Sequence, residues 1–161
     1  MVSQYLDILP GMRVADFGCG SGHWAIILAG AVGPSGRVFA VDVQESALEA
    51  TRAGAQHAHL QNIETVRANV EMPGATMLKD GTVDAVMISN MLFQADEKEN
   101  VAAEAARIVK PSGRVFFIDW DTETGTSTPM LGPPAGQRIS RQAAEQLFIS
   151  KGFRFEKEFN A

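Results

Sequence analysis

The chain is poor in the residues that build disulfides, metal centres and cationic surfaces. Its 161 residues include one cysteine and three histidines. A single cysteine excludes an internal disulfide and fits a reducing compartment. His57 and His59 lack a further ligand at metal spacing, so no metal site is predicted. Lysine and arginine total 14 against 19 acidic residues, and the formal net charge of -5 disfavours nucleic acid as a partner.

Long hydrophobic runs are also missing. The longest strongly apolar stretch, Trp24 to Val32, is far too short to span a bilayer. The first ten residues lack the charged and apolar regions of a secretory signal. We therefore expect a cytoplasmic protein that does not cross a membrane. Because 45% of the residues are hydrophobic, residues 1–161 are expected to form one domain with an ordinary core.

Apolar runs and helical patterns alternate along the chain. Six segments are predicted strands, the last of them from its alternating pattern: Arg13–Phe17, Arg37–Val41, Ile63–Arg67, Val83–Ser89, Arg114–Asp119 and Phe153–Glu158. The helical patterns predict four helices: His23–Val32, Ser46–Ala58, Asn100–Lys110 and Ser140–Lys151. Most of the first five runs are apolar throughout, which is typical of parallel strands covered on both faces. The order predicts an α/β fold with a doubly wound, mostly parallel sheet and helices on both faces.

The most informative segment is residues 14–22, VADFGCGSG, which Asp42 follows twenty residues later. Glycines at positions 18, 20 and 22 let the backbone approach a ligand closely and adopt positive φ. The start of the next helix offers unpaired N–H groups and a positive dipole end. Asp42 ends the second strand, where it can accept hydrogen bonds from two ribose hydroxyls. This unit predicts a site for a nucleoside that carries an anionic group.

The glycine spacing separates two classes of nucleoside site. The dinucleotide fingerprint G-x-G-x-x-G would need its third glycine at position 23, which is His23. The chain instead has D-x-G-x-G-x-G, in which Asp16 stands two residues before Gly18. This pattern resembles motif I of the class I S-adenosylmethionine-dependent methyltransferases, which implies a Rossmann-like fold and S-adenosylmethionine as cofactor. A nicotinamide-dependent oxidoreductase and a tight turn with no ligand stay open as alternatives.

The resemblance extends over almost the whole chain and implies how the cofactor would be held. The acid that binds the ribose diol would be Asp42, and Val43 would stack against adenine. Asn69 would read the adenine amino group, and the backbone of Val70 would complete that contact. Residues 83–90 match motif IV of the family, in which Ser89 and Asn90 would line the methionine end. The implied cofactor-binding residues are Asp16, Phe17, Gly18, Gly20, Gly22, Asp42, Val43, Asn69, Val70, Ser89 and Asn90.

The methionine end has its own expected contacts. In the family the acid of motif I bonds to the methionine ammonium, often through water, and here that acid is Asp16. The methionine carboxylate would meet the N–H groups near Gly18 and Gly20. A buried carboxylate is costly to leave unpaired, so a cationic partner for Asp16 also fits the position of this acid at a strand end.

No catalytic residue is fixed by the sequence, since methyl transfer to an acceptor that is already nucleophilic needs no acid or base. Asp119 ends the fifth strand and Asp121 follows it. Either could act as a general base, although strand-end acids often bond to loop backbone. His23 begins the first helix beside the cofactor, where packing or capping would explain it equally well. Cys19 is interpreted as a small packing residue rather than a nucleophile.

The substrate half is less clearly encoded. Residues 121–136 are rich in Gly, Pro and Thr and predict a loop at the ligand-binding edge. Residues 132–140 resemble a join found in small bacterial methyltransferases of the ubiquinone/menaquinone-biosynthesis-like group. The family's usual seventh strand is missing, so Phe153–Glu158 is expected to pair directly, in parallel, with Arg114–Asp119. The expected function is methyl transfer to a small molecule, and a binding protein without turnover is the main alternative.

Overall fold

Five parallel strands form the centre of the structure, a computed structural model that describes residues 6–122 and 132–159. The strands are β1 (Arg13–Phe17), β2 (Arg37–Asp42), β3 (Ile63–Arg67), β4 (Val83–Ser89) and β5 (Val109–Ile118). Their order in the sheet is β3-β2-β1-β4-β5, and every neighbouring pair is parallel. The chain therefore reverses its winding at β1 and β4, and ligands of open α/β sheets bind at such a switch point.

Helices cover both faces of the sheet, as the sequence predicts. They are α1 (His23–Val32), α2 (Glu45–His57), α3 (Lys98–Ile108) and α4 (Arg141–Ser150). One buried cluster joins the sheet to α1 and α2, and a second joins it to α3 and α4. Because apolar side chains project from both faces of the central strands, burial needs helices on both sides. Within the described ranges, no helix is long and apolar enough to cross a membrane.

The sheet has five strands, so the predicted six are not confirmed. Residues 153–159 form no strand, and no backbone hydrogen bond joins them to β5 in the described part of the chain. The predicted parallel pairing of Phe153–Glu158 with Arg114–Asp119 is therefore wrong. Phe153 instead donates its N–H to Phe148 at 3.2 Å and packs edge-on against that ring.

Side chains explain why this terminal segment stays off the sheet. Glu156 pairs with Arg114, with 2.9 Å between Oε2 and Nε. The neighbouring Lys157 and Glu158 pair with Asp7 and Arg141. These ion pairs hold the segment beside β5 through side chains, while its backbone groups make no ladder with the strand.

The start of β5 also differs from the prediction. The residues Pro111, Ser112 and Gly113 predict a turn that leads into the fifth strand. The strand instead begins at Val109, directly after α3. Val83 pairs with Val109 and Ala85 with Arg114, so a five-residue step on β5 matches a two-residue step on β4. The predicted turn is thus a bulge inside the strand, which leaves the carboxyl ends of β4 and β5 in regular register.

Candidate functional site

The loop between β1 and α1 owes its shape to three glycines with positive φ. The φ angles are 69° at Gly18, 53° at Gly20 and 86° at Gly22. A Cβ on Gly18 would lie 2.7 Å from Met91 Cγ, and one on Gly22 would lie 2.8 Å from Thr51 Oγ1. A Cβ on Gly20 would meet nothing within 4 Å. Chain packing therefore requires the outer glycines, whereas Gly20 faces open space that a ligand can enter.

The amides of this loop bond within the protein. Gly18 and Cys19 both donate to the carbonyl of Val41, at 2.9 and 3.0 Å. Gly20 donates to Oδ2 of Asp42 at 3.0 Å. The contact of the methionine carboxylate with N–H groups near Gly18 and Gly20 stays a prediction. The amides of Gly18 and Gly20 themselves have partners in the protein, so a carboxylate would need a neighbouring donor.

Asp42 stands at the tip of β2 and is held by two backbone amides. Its Oδ1 accepts the N–H of Gln44 at 2.9 Å, and its Oδ2 accepts that of Gly20. A carboxylate offers about four lone-pair sites, so two remain for ligand hydroxyls. The next residue, Val43, is 49% exposed and offers an apolar surface beside the acid. The pair suits a sugar diol next to a flat ring.

Asp16 is the most unusual group in the site. Its side chain is 2% exposed, and its Oδ2 has no hydrogen-bond partner within the described residues. The carboxyl group does receive the backbone N–H of Ala25 in the first turn of α1. Burial, together with the nearby charge of Asp42, raises the pKa of Asp16 to about 7. An orphaned, buried carboxylate oxygen fits a cationic ligand group such as an ammonium.

The end of β4 is tied to its neighbours by two polar residues. The indole Nε1–H of Trp24 in α1 donates to Ser89 Oγ at 3.0 Å. The next residue, Asn90, adopts a positive φ of 50°, and its backbone N–H donates to Ile118 at 2.8 Å. Ser89 and Asn90 therefore lie at the same sheet edge as Asp16, as the sequence predicts.

Asn69 follows β3 and lies exposed at the carboxyl edge of the sheet. Its Oδ1 accepts the N–H of Glu71 at 3.0 Å, which closes an Asx turn. Val70 is 3% exposed and packs in the core. The N–H of Ala68 donates to the carbonyl of Asp42 at 3.0 Å, so this turn is fixed to the end of β2. The predicted adenine-reading residue thus stands beside the predicted ribose-binding acid.

The catalytic candidates at the end of β5 have structural contacts. Asp119 accepts the N–H of Phe93 at 3.2 Å and that of Trp120 at 2.8 Å, and burial raises its pKa. In this structure, Asp119 therefore accepts hydrogen bonds from the loop backbone. The carbonyl of Asp121 accepts a hydrogen bond from Arg138 at 3.4 Å. Most of the predicted loop over residues 121–136 lies outside the described residues, since 123–131 are not described.

Among the described residues, His23 and Cys19 do not contact each other, so they form no nucleophile–base pair. His23 is exposed, and its ring lies edge-on to Trp24 with 5.7 Å between the ring centroids. Cys19 is buried with its Sγ 3.6 Å from Thr51 Oγ1. Burial raises the pKa of the Cys19 thiol to about 11, so the nucleophilic thiolate is scarce at neutral pH.

Thr51 is a site-supporting residue that sequence reasoning missed. It is fully buried on α2, fits the notch left by Gly22, and donates to the carbonyl of Gly20 at 3.2 Å. The available signal was a threonine in register with Leu48 and Ala55 on the apolar face of the helix. The backbone of Gly20 is consequently fixed by two hydrogen bonds, since its carbonyl accepts from Thr51 and its N–H donates to Asp42.

Comparisons with known proteins agree with this geometry. A family model described as a methyltransferase domain matches residues 14–113. The chain is 32% identical over 122 residues to the demethylmenaquinone methyltransferase of Bacillus mycoides (strain KBAB4). That match covers 75% of this chain and 50% of the relative, so the chain spans about half the length of the curated relatives it matches.

Solved structures give the same assignment. A SAM-dependent methyltransferase from Aquifex aeolicus superposes with a TM-score of 0.84 at 27% identity, covering 97% of this chain and 79% of its own. An arsenic(III) S-adenosylmethionine methyltransferase from Chlamydomonas reinhardtii gives a TM-score of 0.75 at 25% identity. That match covers 90% of this chain and 52% of the Chlamydomonas chain. The chain belongs to the class I S-adenosylmethionine-dependent methyltransferases, a family whose cofactor is S-adenosylmethionine.

Proposed function

We propose that this chain binds S-adenosylmethionine across the carboxyl ends of β2, β1 and β4 and transfers its methyl group to a small-molecule acceptor. The observation that carries the proposal is the buried, unpartnered oxygen of Asp16 beneath a loop that opens at Gly20. An ammonium would satisfy that oxygen. Asp42 lies on the neighbouring strand, where it would receive the ribose hydroxyls of the same ligand.

The remaining predicted residues have complementary roles in this proposal. Val43 would pack against adenine, while Asn69 and the backbone of Val70 would contact its polar edge. Ser89 and Asn90 would border the methionine end. Phe17 ends β1 as part of the core, fully buried beneath the loop. The loop glycines Gly18, Gly20 and Gly22 would form the floor of the site.

Catalysis in this proposal rests on binding and orientation. When bound, the cofactor supplies a methyl group activated by its sulfonium. Asp16, Asp42 and the glycine loop would hold that ligand in one pose, and such positioning can supply ~7–11 kcal/mol of a barrier. Both carboxylate oxygens of Asp119 accept hydrogen bonds from backbone amides. We therefore propose that Asp119 holds the loop backbone in place and does not act as a base. A nucleophilic acceptor would need no base from the chain.

The acceptor is proposed from the relatives. The name of the Bacillus mycoides protein makes demethylmenaquinone the first acceptor to assay, and that of the Chlamydomonas reinhardtii protein makes arsenic(III) the second. We further propose that residues 1–161 form one domain, built on the single five-stranded sheet. We also propose that it acts in the cytoplasm, since the only cysteine is a buried free thiol. The net charge of -5 disfavours nucleic acid as the acceptor.

Calorimetric titration separates this proposal from its alternatives. S-adenosylhomocysteine should bind and NAD should not, because the glycine spacing and Asp16 disfavour a dinucleotide. Release of labelled methyl product with an acceptor then separates an enzyme from a binding protein without turnover. Tight binding of NAD, or failure of S-adenosylhomocysteine to bind, would contradict the proposal.

Asp42→Ala should weaken S-adenosylhomocysteine binding at least about tenfold, since hydrogen bonds to charged groups contribute about 1.5–3 kcal/mol each. The substitution also frees the amides of Gly20 and Gln44, which the carboxylate now orients. Glu49→Ala is the matched control, because it removes an exposed carboxylate from the following helix. Calorimetric dissociation constants measure the effect, and equal constants for both variants would exclude Asp42 from the site.

A further inference from the structure

Arg138 connects the two ends of the segment that leads from β5 to α4. Its Nε donates to the carbonyl of Pro133 at 3.0 Å, and its Nη1 donates to the carbonyl of Asp121 at 3.4 Å. Asp121 lies shortly after β5, and Pro133 lies shortly before α4. A guanidinium can bridge them because its N–H donors point in several directions within one rigid plane. Arg138 thus joins residues 120–122 to residues 132–138, and we call these two stretches the neck.

The neck holds the indole ring of Trp120. The Cζ atom of Arg138 lies 5.8 Å from the ring centroid, which is within cation–π range. Gly132 meets the ring with its backbone: a Cβ there would lie 2.5 Å from Trp120 Cδ2, and its φ of 85° favours glycine. The ring itself is half-buried. Two separate contacts therefore fix the ring while part of it stays accessible to a ligand.

The position of Trp120 is next to the end of β4, which borders the methionine end of the proposed cofactor site. Ile118, the last residue of β5, pairs with Ser89 of β4, and its carbonyl accepts the N–H of Asn90 at 2.8 Å. Trp120 follows Ile118 by two residues, and neighbouring strands are about 4.8 Å apart. The ring therefore lies at the sheet edge from which an acceptor would approach the cofactor.

The acids beside Trp120 are bonded within the protein. Asp119 accepts the N–H groups of Phe93 and Trp120, and Asp121 accepts the hydroxyl of Thr122 at 3.3 Å. The guanidinium of the neck is likewise bonded to two carbonyls. Charged groups at this end of β5 thus hold the chain in place, and the accessible surface of the neck is aromatic. An indole ring favours a flat aromatic partner.

Arsenic(III) has a different requirement, because a soft centre favours thiolate ligands. The chain has one cysteine, Cys19, and its thiol is buried against Thr51 in the glycine loop. One buried thiol does not supply a set of such ligands. The residues of the chain therefore favour a carbon-rich ring over arsenic(III) as the acceptor.

We infer that Trp120 is the stacking surface for a flat, uncharged aromatic acceptor, and that Arg138 is the positioning residue that holds this ring in place. The inference rests on the proposed function and specifies the class of acceptor. Gly132 belongs to the same device, since a larger residue there would displace the ring.

Fluorescence quenching by menadione, a flat naphthoquinone, tests the contact. Trp24 and Trp120 are the two tryptophans of the chain, so Trp24→Phe leaves Trp120 as the only reporter. In this variant, saturated with S-adenosylhomocysteine, quenching should reach a plateau as menadione is added, because a bound quinone lies against the ring. Quenching that grows linearly without a plateau reports random collisions and overturns the inference.

Arg138→Lys in the same background tests the positioning role. Lysine keeps the charge but cannot bridge both carbonyls, so menadione affinity should fall about threefold to tenfold, and KM for demethylmenaquinone should rise by a similar factor. The kcat and the affinity for S-adenosylhomocysteine should change less than about twofold. Arg141→Lys is the matched control, because Arg141 also pairs with a carboxylate, that of Glu158, and lies over a ring, that of Phe155. Equal menadione affinities for the two lysine variants overturn the assignment of Arg138.

Trp120 variants test the ring directly by calorimetry with menadione. Trp120→Phe keeps an aromatic face and should retain most of the affinity, whereas Trp120→Ala should lose about threefold to tenfold. If Trp120→Ala fails to fold, Trp120→Leu must show the same loss. Methylation of arsenic(III) that is faster than that of demethylmenaquinone overturns the proposed acceptor class. If the wild type does not bind S-adenosylhomocysteine, the proposed function fails; if it binds that ligand but menadione does not bind at Trp120, this inference alone fails.

Discussion

Asp16→Asn should weaken S-adenosylhomocysteine binding about a hundredfold and remove most of its pH dependence. Breaking a buried charge pair by removing one partner costs about 2–5 kcal/mol. The amide has nearly the same shape and can keep the hydrogen bond from Ala25. The loss therefore measures charge rather than packing, and it should exceed the loss for Asp42→Ala because Asp16 is buried.

The pH dependence follows from the raised pKa. In the ligand-free protein the pKa of Asp16 is about 7, so part of the carboxyl population is protonated at neutral pH. An ammonium favours the ionised form, so binding releases a proton. The affinity of the wild type should rise as the pH increases toward and through 7, then level off. Titrations in two buffers with different ionisation enthalpies measure the released protons directly.

The same shift predicts an opposite effect on stability. The folded-state pKa of Asp16 lies above its unfolded value of 3.8, so its contribution to folding is complete below that value and declines as the pH rises through 7. Asp16→Asn should therefore raise the stability of the ligand-free protein at pH values above about 7 while it lowers affinity. A gain in stability with a loss of binding is the signature of a strained functional carboxylate.

Asp84→Asn is the control for these measurements. Asp84 lies at the amino end of β4, accepts the N–H of Arg13 at 2.8 Å, and has a lowered pKa. Its loss should reduce stability and leave ligand affinity unchanged. An Asp16→Asn variant that bound with the wild-type pH profile would contradict the assignment of Asp16 to the ammonium.

Local pattern was sufficient to predict the nucleotide half of the fold. The strands β1, β3 and β4 and the helix α1 begin and end where predicted, because runs of apolar and β-branched residues and the glycine turns beside them are signals within a few residues. The helix α3 begins two residues before the predicted Asn100 and also ends earlier, since no strong cap marks either end. The clustering of Asp16, Asp42 and Ser89 follows from the parallel sheet, whose strand ends share one edge.

The features that could not be predicted depend on competition between distant groups. Phe153 and Phe155 alternate like residues of a half-buried strand, yet Phe153 packs on Phe148 and Phe155 stays 49% exposed. The internal partners of the Gly18 and Gly20 amides likewise come from β2, which a linear pattern does not reveal. Sequence therefore indicated which residues meet, and the structure assigned which of their donors and acceptors are still available to a ligand.

A buried ionic network lies away from the proposed cofactor site, between α3 and the loop at residues 74–76. Glu104 of α3 is 2% exposed and binds the loop that follows the Asx turn of Asn69. It accepts the Gly74 N–H at 3.0 Å, the Thr76 hydroxyl at 2.6 Å and Arg107 Nε at 2.9 Å. Burial alone would raise the pKa of Glu104, but hydrogen bonds from Arg107, Thr76 and Gly74 lower it to about 2.

Glu104→Gln should destabilise the protein by about 3 kcal/mol at neutral pH, since it leaves the Arg107 guanidinium without its buried carboxylate. The folded-state pKa is depressed below 4.5, so the contribution of Glu104 is complete above that pH and is lost as the pH falls toward 2. The wild type should lose stability over this window more steeply than the variant. Urea unfolding at neutral pH and near pH 3 measures both effects. Glu99 is on the same helix as Glu104 and forms an ion pair with Lys151 at the end of α4. The control Glu99→Gln removes this more exposed pair and should cost no more than about 1 kcal/mol of stability. Equal costs for the two variants would show that the Glu104 network does not stabilise the fold.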